Sequence, residues 1–228
     1  MNEMYTSGEY ASKNPNWHLE HSPFKAAQVS KMLAKHAIKP RRLLEVGCGV
    51  GGILEELRNR LDPKPECVGY DVSPQAIEYA AKREGEGLKF FLGTPDPKAG
   101  RFDVALAMDV AEHVEDYLAF IRGLKELAEW KILHIPMDLS MLSVARPSYL
   151  SLARQHVGHL HYFTLETALA SVEQAGLEVK DWFLTSVELE QGAPGQKRLM
   201  FLRRMMNSWK PELTARILGG YSVLVLCK

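Results

Sequence analysis

Residues 43 to 52 read Leu-Leu-Glu-Val-Gly-Cys-Gly-Val-Gly-Gly, which sets Glu45, Gly47, Gly49 and Gly51 at every second position. Glycines at a turn let a ligand reach bare backbone, because no Cβ stands in the way. Free N–H groups at the start of a following helix would add a weak positive field. Two more acids close apolar runs: Asp71 after Cys67-Val68-Gly69-Tyr70, and Asp109 after Phe102 to Met108. Histidines stand at His113 and in His156-Val157-Gly158-His159-Leu160-His161. Such a set can hold a nucleoside on backbone and carboxylate, with a proton acceptor close by.

The glycines alone leave the ligand open. Gly47-x-Gly49-x-x-Gly52 also satisfies the dinucleotide fingerprint, and many glycine pairs are plain turns. Asp71 can accept hydrogen bonds from both ribose hydroxyls and would repel a 2′-phosphate; the bland alternative is a capping acid. Glu45 sorts the candidates further. Just before the turn, its charge opposes a pyrophosphate and suits a nucleoside with a cationic head, such as S-adenosylmethionine with its sulfonium and ammonium groups.

Around these residues the chain alternates between strand and helix signals. Ile53, Leu54, Leu57 and Leu61 recur at helical spacing after the glycines, so that stretch reads strand, turn, helix. Ser22-Pro23 predicts a cap and a helix running to about Lys39-Pro40, and Ser73-Pro74 repeats the signal. Strands are expected at 67–71, 88–92, 102–108, 131–135, 177–185 and 221–227, with an irregular stretch over 136–163. Tyr117, Ile121, Leu124 and Ala128 mark one further helix, and Thr164 caps another that Gly176 ends. Alternation of this kind predicts a mostly parallel, helix-covered sheet.

Composition narrows the class. The 28 basic and 28 acidic residues balance among 228, so no nucleic-acid track is expected. No apolar run approaches the roughly 18 residues of a membrane span. Cys48, Cys67 and Cys227 lack zinc spacing, which suits a reducing compartment and a cytoplasmic location. Residues 186–220 carry six basic groups against three acids, read as a solvated face, an anionic-substrate contact or an oligomer contact; a homodimer is left open. Leu199, Met200, Leu202, Met205 and Met206 in that stretch read as core.

Glu45-x-Gly47-x-Gly49-x-Gly51, then Tyr70-Asp71-Val72-Ser73, then the run from Met108 to Asp116 resemble the successive motifs of class I S-adenosylmethionine-dependent methyltransferases. Phe163-Thr164-Leu165-Glu166 with Ala175-Gly176-Leu177-Glu178-Val179 is similar to their late helix and strand. The likeness spans residues 40–185. It implies an α/β, Rossmann-like, seven-stranded and mostly parallel sheet with helices on both faces and an antiparallel last strand. One methyltransferase domain is expected over 1–228: a lid over 1–39, a cofactor-binding core over 40–185, and an insertion over 186–220 before the strand at 221–227.

By that resemblance Gly47, Cys48 and Gly49 offer backbone to the methionine and ribose portions, and Glu45 sits near the amino-acid end. Asp71 holds the ribose and Val72 lies beside the adenine. The family's usual acid after the third strand is replaced here by Gly93-Thr94, so Thr94 or Asp96 must serve. Met108, Asp109 and His113 border the methionine tail and the transferable methyl. S-adenosylhomocysteine would be the product.

Methyl transfer from a sulfonium gains chiefly from alignment in a dry pocket, and needs a base only when the acceptor must lose a proton first. His113 and His161 are the candidate catalytic residues. Trp17, His18, Lys25, His159 and Tyr162 are candidates for the substrate side, with Lys25 able to reach the cofactor carboxylate under a closed lid. The histidine cluster invites a metal, but no flanking carboxylate completes a triad, so none is expected. The expected reaction is methylation of a small molecule at O, N or C. The rivals are an NAD-dependent oxidoreductase and a non-catalytic S-adenosylmethionine-binding protein.

Overall fold

The computed structural model describes residues 3–191 and 197–228. Seven strands form one sheet: β1 (Arg42–Val46), β2 (Glu66–Asp71), β3 (Leu88–Leu92), β4 (Phe102–Met108), β5 (Ala128–Pro136), β6 (Val179–Thr185) and β7 (Ser222–Cys227). Their order is β3-β2-β1-β4-β5-β7-β6. Every pairing from β3 to β5 is parallel, and β7 runs antiparallel between β5 and β6. The strand order reverses between β1 and β4, and in such sheets the crevice outside the strand carboxyl ends at that point is where ligands bind.

Strand alternation assigns side chains to two cores. Leu44 and Val46 of β1 pack with the Tyr117–Leu127 and Leu165–Gln174 helices on one face. Leu43 packs on the other face with the Ser22–Lys35 and Gly52–Arg60 helices. Glu45, two residues on from Leu43, therefore points to the same side as the amino-terminal helix. That helix buries Phe24, Ala26, Val29, Met32 and Leu33 along one stripe. Ser22 opens it as its first helical residue and makes no cap, and the helix ends at Lys35, short of Lys39-Pro40. Ser73, by contrast, accepts from the Ala76 N–H as expected of a cap.

Departures from expectation lie where local signals are weak. Ala128 begins β5 and does not continue the preceding helix. The stretch over 136–163 holds two short helices, Met141–Val144 and Tyr149–His156. The segment before His18 carries the short helices Glu3–Thr6 and Glu9–Lys13. Of the five apolar residues expected in the core near the carboxyl end, Met200 is buried, but Leu202 and Met205 are exposed. Arg203 is buried instead, pairing with Glu188 and donating to the Leu218 carbonyl at 2.9 Å. The insertion at 186–220 lies partly outside the described residues. Among those described, no helix is long and apolar enough to cross a membrane.

Candidate active site

Acidic groups gather where the sheet order reverses. Glu45 ends up 1% exposed, and both its carboxylate oxygens are buried with no hydrogen-bond partner among the described residues. Burial pushes its pKa up to about 8; Lys25 opposes the rise and Asp71 adds to it. Asp71, at the end of β2, accepts from the Gly49 N–H and the Ser73 N–H, each at 2.8 Å. Burial also raises its pKa, against the pull of those backbone donors.

The turn between them needs glycine for two different reasons. Gly47 has φ +76°, and a Cβ there would meet Val110 Cγ2 at 2.5 Å. Gly49 has φ +53°, but a Cβ there would enter open space. The first glycine satisfies the core, and the second leaves the crevice clear. Cys48 turns its side chain inward below Gly69 and is buried, which raises its thiol pKa. Val72 is half-buried, whereas Thr94 is exposed on the far rim. Asp96 spends its carboxylate on the Lys98 N–H at 2.8 Å.

On the other side of the reversal, Met108 is buried and Asp109 follows it with φ +59°, a left-handed conformation that aspartate tolerates better than most residues. Its Oδ2 lies 2.6 Å from Lys25 Nζ, and its Oδ1 lies 2.5 Å from His134 Nδ1. Burial alone would raise this carboxyl, but His134 and Lys25 hold it well below the usual range. Lys25 is raised in turn: Asp109, Glu112 and Glu45 outweigh the effect of its burial. His134 is held at its other end by Thr185 Oγ1 at 2.8 Å.

Past Asp109 the chain makes a single turn over Ala111–His113. Glu112 is fully buried, and neither carboxylate oxygen has a hydrogen-bond partner among the described residues. Its carboxyl pKa is raised well above normal by burial and by Asp109. The backbone carbonyl of Glu112 accepts from the N–H groups of Leu160 at 2.7 Å and His161 at 3.1 Å, so the histidine-rich loop lies directly on this turn. His113 Nε2 lies 3.7 Å from Glu112 Oε1. The His113 and His159 rings meet edge to face at 4.9 Å, and His159 Nδ1 is 2.5 Å from Asp138 Oδ2. Burial lowers the His113 pKa to about 4, with His159 adding to the effect.

His161 has a different setting. Its Nε2 bonds the carbonyls of Val114 at 2.9 Å and Glu115 at 3.1 Å, and its ring packs on Tyr117. It clasps two loops together, and that nitrogen carries a hydrogen with no lone pair to offer. The Tyr162 hydroxyl donates to the Leu150 carbonyl at 2.9 Å. Trp17 is half-buried against Tyr10, and Tyr10 packs on Tyr5, while His18 is exposed beside them. The Tyr5 ring meets His113 at 5.2 Å, so this aromatic row leads across the strand ends to the histidines. Lys25 reaches Asp109 as described.

Five residues of this site escaped the sequence reading: Tyr5, Tyr10, Glu112 as a carboxylate with no hydrogen-bond partner among the described residues, His134 and Asp138. His134 sits inside a buried strand pattern that signals only core. Asp138 and His159 are 21 positions apart in a stretch without periodicity, so nothing local pairs them. A cavity lined by Asp138, Arg146, Tyr149, Glu188 and Arg203, among others, adjoins the site between the 136–163 and 186–220 segments.

Comparison with known proteins bears on this arrangement. A family profile described as a methyltransferase domain matches residues 18–181. A ubiquinone biosynthesis O-methyltransferase of Azorhizobium caulinodans is 30% identical over 191 residues, covering 76% of this chain and 69% of that protein. Another, of Cereibacter sphaeroides, is 40% identical over 92 residues, but these span 38% of this chain and 36% of the relative's length. Among solved structures, the magnesium protoporphyrin IX methyltransferase of Synechocystis with bound S-adenosylhomocysteine superposes with a TM-score of 0.60. It is 16% identical, with 90% of this chain and 82% of that one covered, a likeness of fold.

Proposed function

The chain belongs to the class I S-adenosylmethionine-dependent methyltransferases, and on that premise we propose that it methylates a small molecule bearing an ionisable hydroxyl. The observation that carries the reading is Glu45, a buried carboxyl group with no hydrogen-bond partner among the described residues, beside an open glycine turn. A cationic amino-acid head would draw the proton off Glu45 and pair with the carboxylate, whereas a pyrophosphate would find no partner in it.

The residues present fit that cofactor. Gly49 leaves room for the ribose and methionine portions, Asp71 has lone pairs left for the ribose hydroxyls, and half-buried Val72 offers an apolar wall to the adenine. Thr94 stands at the rim where the adenine amino group would lie. The cofactor supplies an electrophilic methyl on a sulfonium that leaves as a neutral thioether. This chain's part is to orient and desolvate: Met108 walls the methyl side, Asp109 is locked by Lys25 and His134, and the aromatic row Tyr5, Tyr10 and Trp17 keeps water away.

An acceptor hydroxyl is favoured because proton-handling groups crowd the position beyond Asp109. Glu112, His113 and His159 converge there, and His159 is oriented by Asp138. A neutral amine would need none of them before transfer. The two ubiquinone biosynthesis relatives above are named as O-methyltransferases.

Calorimetric titration with S-adenosylhomocysteine and with NAD tests the cofactor half. Mass-spectrometric methylation of a panel of phenols, alcohols and amines tests the acceptor half. Uptake of NAD without the thioether would overturn the first; methylation confined to amines would overturn the second.

A further inference from the structure

Glu112, His113 and His159 come from two segments 46 positions apart at their nearest ligands, yet one potential ligand atom from each lies within 4.8 Å of the other two. We infer that these three side chains form a binding site for a single divalent transition cation.

The hydrogen bonds fix which ring nitrogens are available. The Tyr5 hydroxyl donates to the Val157 carbonyl at 2.7 Å, so its oxygen faces His113 Nδ1 as an acceptor at 2.9 Å. The Gly158 carbonyl, 3.2 Å from the same nitrogen, can only accept. His113 Nδ1 therefore carries the hydrogen, and Nε2 presents its lone pair towards Glu112. Asp138 does the same for His159, holding a hydrogen on Nδ1 and leaving Nε2 free to ligate. An imidazole held through its far nitrogen by a carboxylate or a carbonyl is the arrangement in which metal-binding histidines are kept.

Glu112 supplies the independent observation. A fully buried carboxylate whose two oxygens have no hydrogen-bond partner among the described residues is costly, and a cation between it and two imidazoles removes that cost. At bond lengths of about 2.1 Å, tetrahedral ligand atoms stand about 3.4 Å apart, so loading draws the three side chains inward. The 3.7 Å between His113 Nε2 and Glu112 Oε1 is already close to that. Two nitrogens and one carboxylate suit zinc, iron(II) or manganese(II) better than calcium or magnesium. Three protein ligands would leave further coordination positions for an acceptor oxygen. With the cation bound, these groups would favour loss of the acceptor's proton through the metal instead of taking the proton themselves, which is where this inference rests on the function proposed above.

The test is calorimetric titration of the tag-free, metal-depleted full chain with Zn2+ alone, with S-adenosylhomocysteine titrated separately. One Zn2+ per chain is expected, with affinity falling at least tenfold in Glu112→Gln and in His159→Gln, and about tenfold or more in Asp138→Asn. Zn2+ should raise the melting temperature of the native chain and not that of the two ligand variants. Retained S-adenosylhomocysteine binding shows that each variant is folded; if Glu112→Gln does not fold, His159→Gln decides. The half-exposed group His18, Glu20 and His21 is a second place where zinc could lodge. Zinc binding lost in a His18→Ala, His21→Ala double variant but kept in Glu112→Gln and His159→Gln overturns the inference. So does an absence of zinc binding in a chain that still takes S-adenosylhomocysteine, an outcome that leaves the cofactor assignment standing.

Discussion

Lys25 of the amino-terminal helix and Asp109 at the end of β4 form an ion pair at 2.6 Å, with side chains 15% and 27% exposed. It ties the amino-terminal helix to the residue that holds a left-handed backbone at the end of β4. Removing one partner from a largely buried pair strands the other charge, so Lys25→Met should lower unfolding free energy by about 2–4 kcal/mol at neutral pH. Adding Asp109→Asn should recover part of that loss. Because the Asp109 carboxyl is held low, its contribution is present above the usual aspartate range and fades as pH falls towards its folded value. Urea denaturation of Lys25→Met, Asp109→Asn and the double variant from neutral to acidic pH checks this; losses that simply add in the double variant would show that the two residues act separately.

Glu45 gives the opposite pH dependence. Its folded pKa of about 8 exceeds its ordinary value of 4.5, so between these pH values the folded chain binds more protons than the unfolded one. Stability must then fall as pH rises through that window. Glu45→Gln should remove the slope and raise the melting temperature of the cofactor-free chain at pH 8 by about 4 °C or more. The same change should weaken S-adenosylhomocysteine binding at least tenfold by removing the partner of its ammonium group. Thermal melts across pH 5–9 with parallel calorimetry measure both, and a variant no more stable than the parent would refute the account of Glu45.

Gly47 and Gly49 should separate under the same substitution. At Gly49 an alanine meets only the left-handed φ penalty, about 1 kcal/mol, while its methyl projects into the crevice. Gly49→Ala should therefore fold and lose cofactor affinity by tenfold or more. Gly47→Ala adds a 2.5 Å clash with Val110 and should cost several times as much stability. Chemical denaturation together with calorimetry distinguishes the two, and equal destabilisation would mean that the space around Gly49 is filled.

The glycine turn and the strand boundaries at Leu88–Leu92 and Phe102–Met108 were legible in the sequence because each depends on spacing within a few residues, whereas the antiparallel last strand followed only from the family resemblance. Asp71 and Asp109 were legible for a related reason, since parallel strands deliver their last residues to one edge. The pairing of Glu112 with His159 was not. It depends on a loop whose course is set by tertiary contacts, chiefly the Glu112 carbonyl receiving two N–H groups from 160 and 161. A carboxylate was sought beside the histidines in sequence, and the fold places it beside them in space. His161 shows the converse, since its neighbours in the chain invite chemistry and its hydrogen bonds spend one nitrogen on backbone.

Tyr5 is where the amino-terminal arm can be uncoupled without disturbing the core. Its hydroxyl donates to the Val157 carbonyl and accepts from His113, while its ring packs on Tyr10 at 4.7 Å. Tyr5→Phe keeps the ring and leaves that carbonyl and that nitrogen to water or to Gly158, a loss of about 1 kcal/mol. Other polar ties of the arm to the body include Lys13 to the Gln155 carbonyl at 2.8 Å and Asn14 to the His156 carbonyl at 3.2 Å, both near its surface. The cost should therefore fall on local opening of the arm more than on global unfolding. Amide hydrogen exchange over residues 8–14 should quicken about fivefold while the exchange of β4 and β5 stays unchanged. Exchange equal to that of the parent would mean the aromatic packing alone seats the arm. A matched rise in β4 would mean the hydroxyl braces the sheet itself.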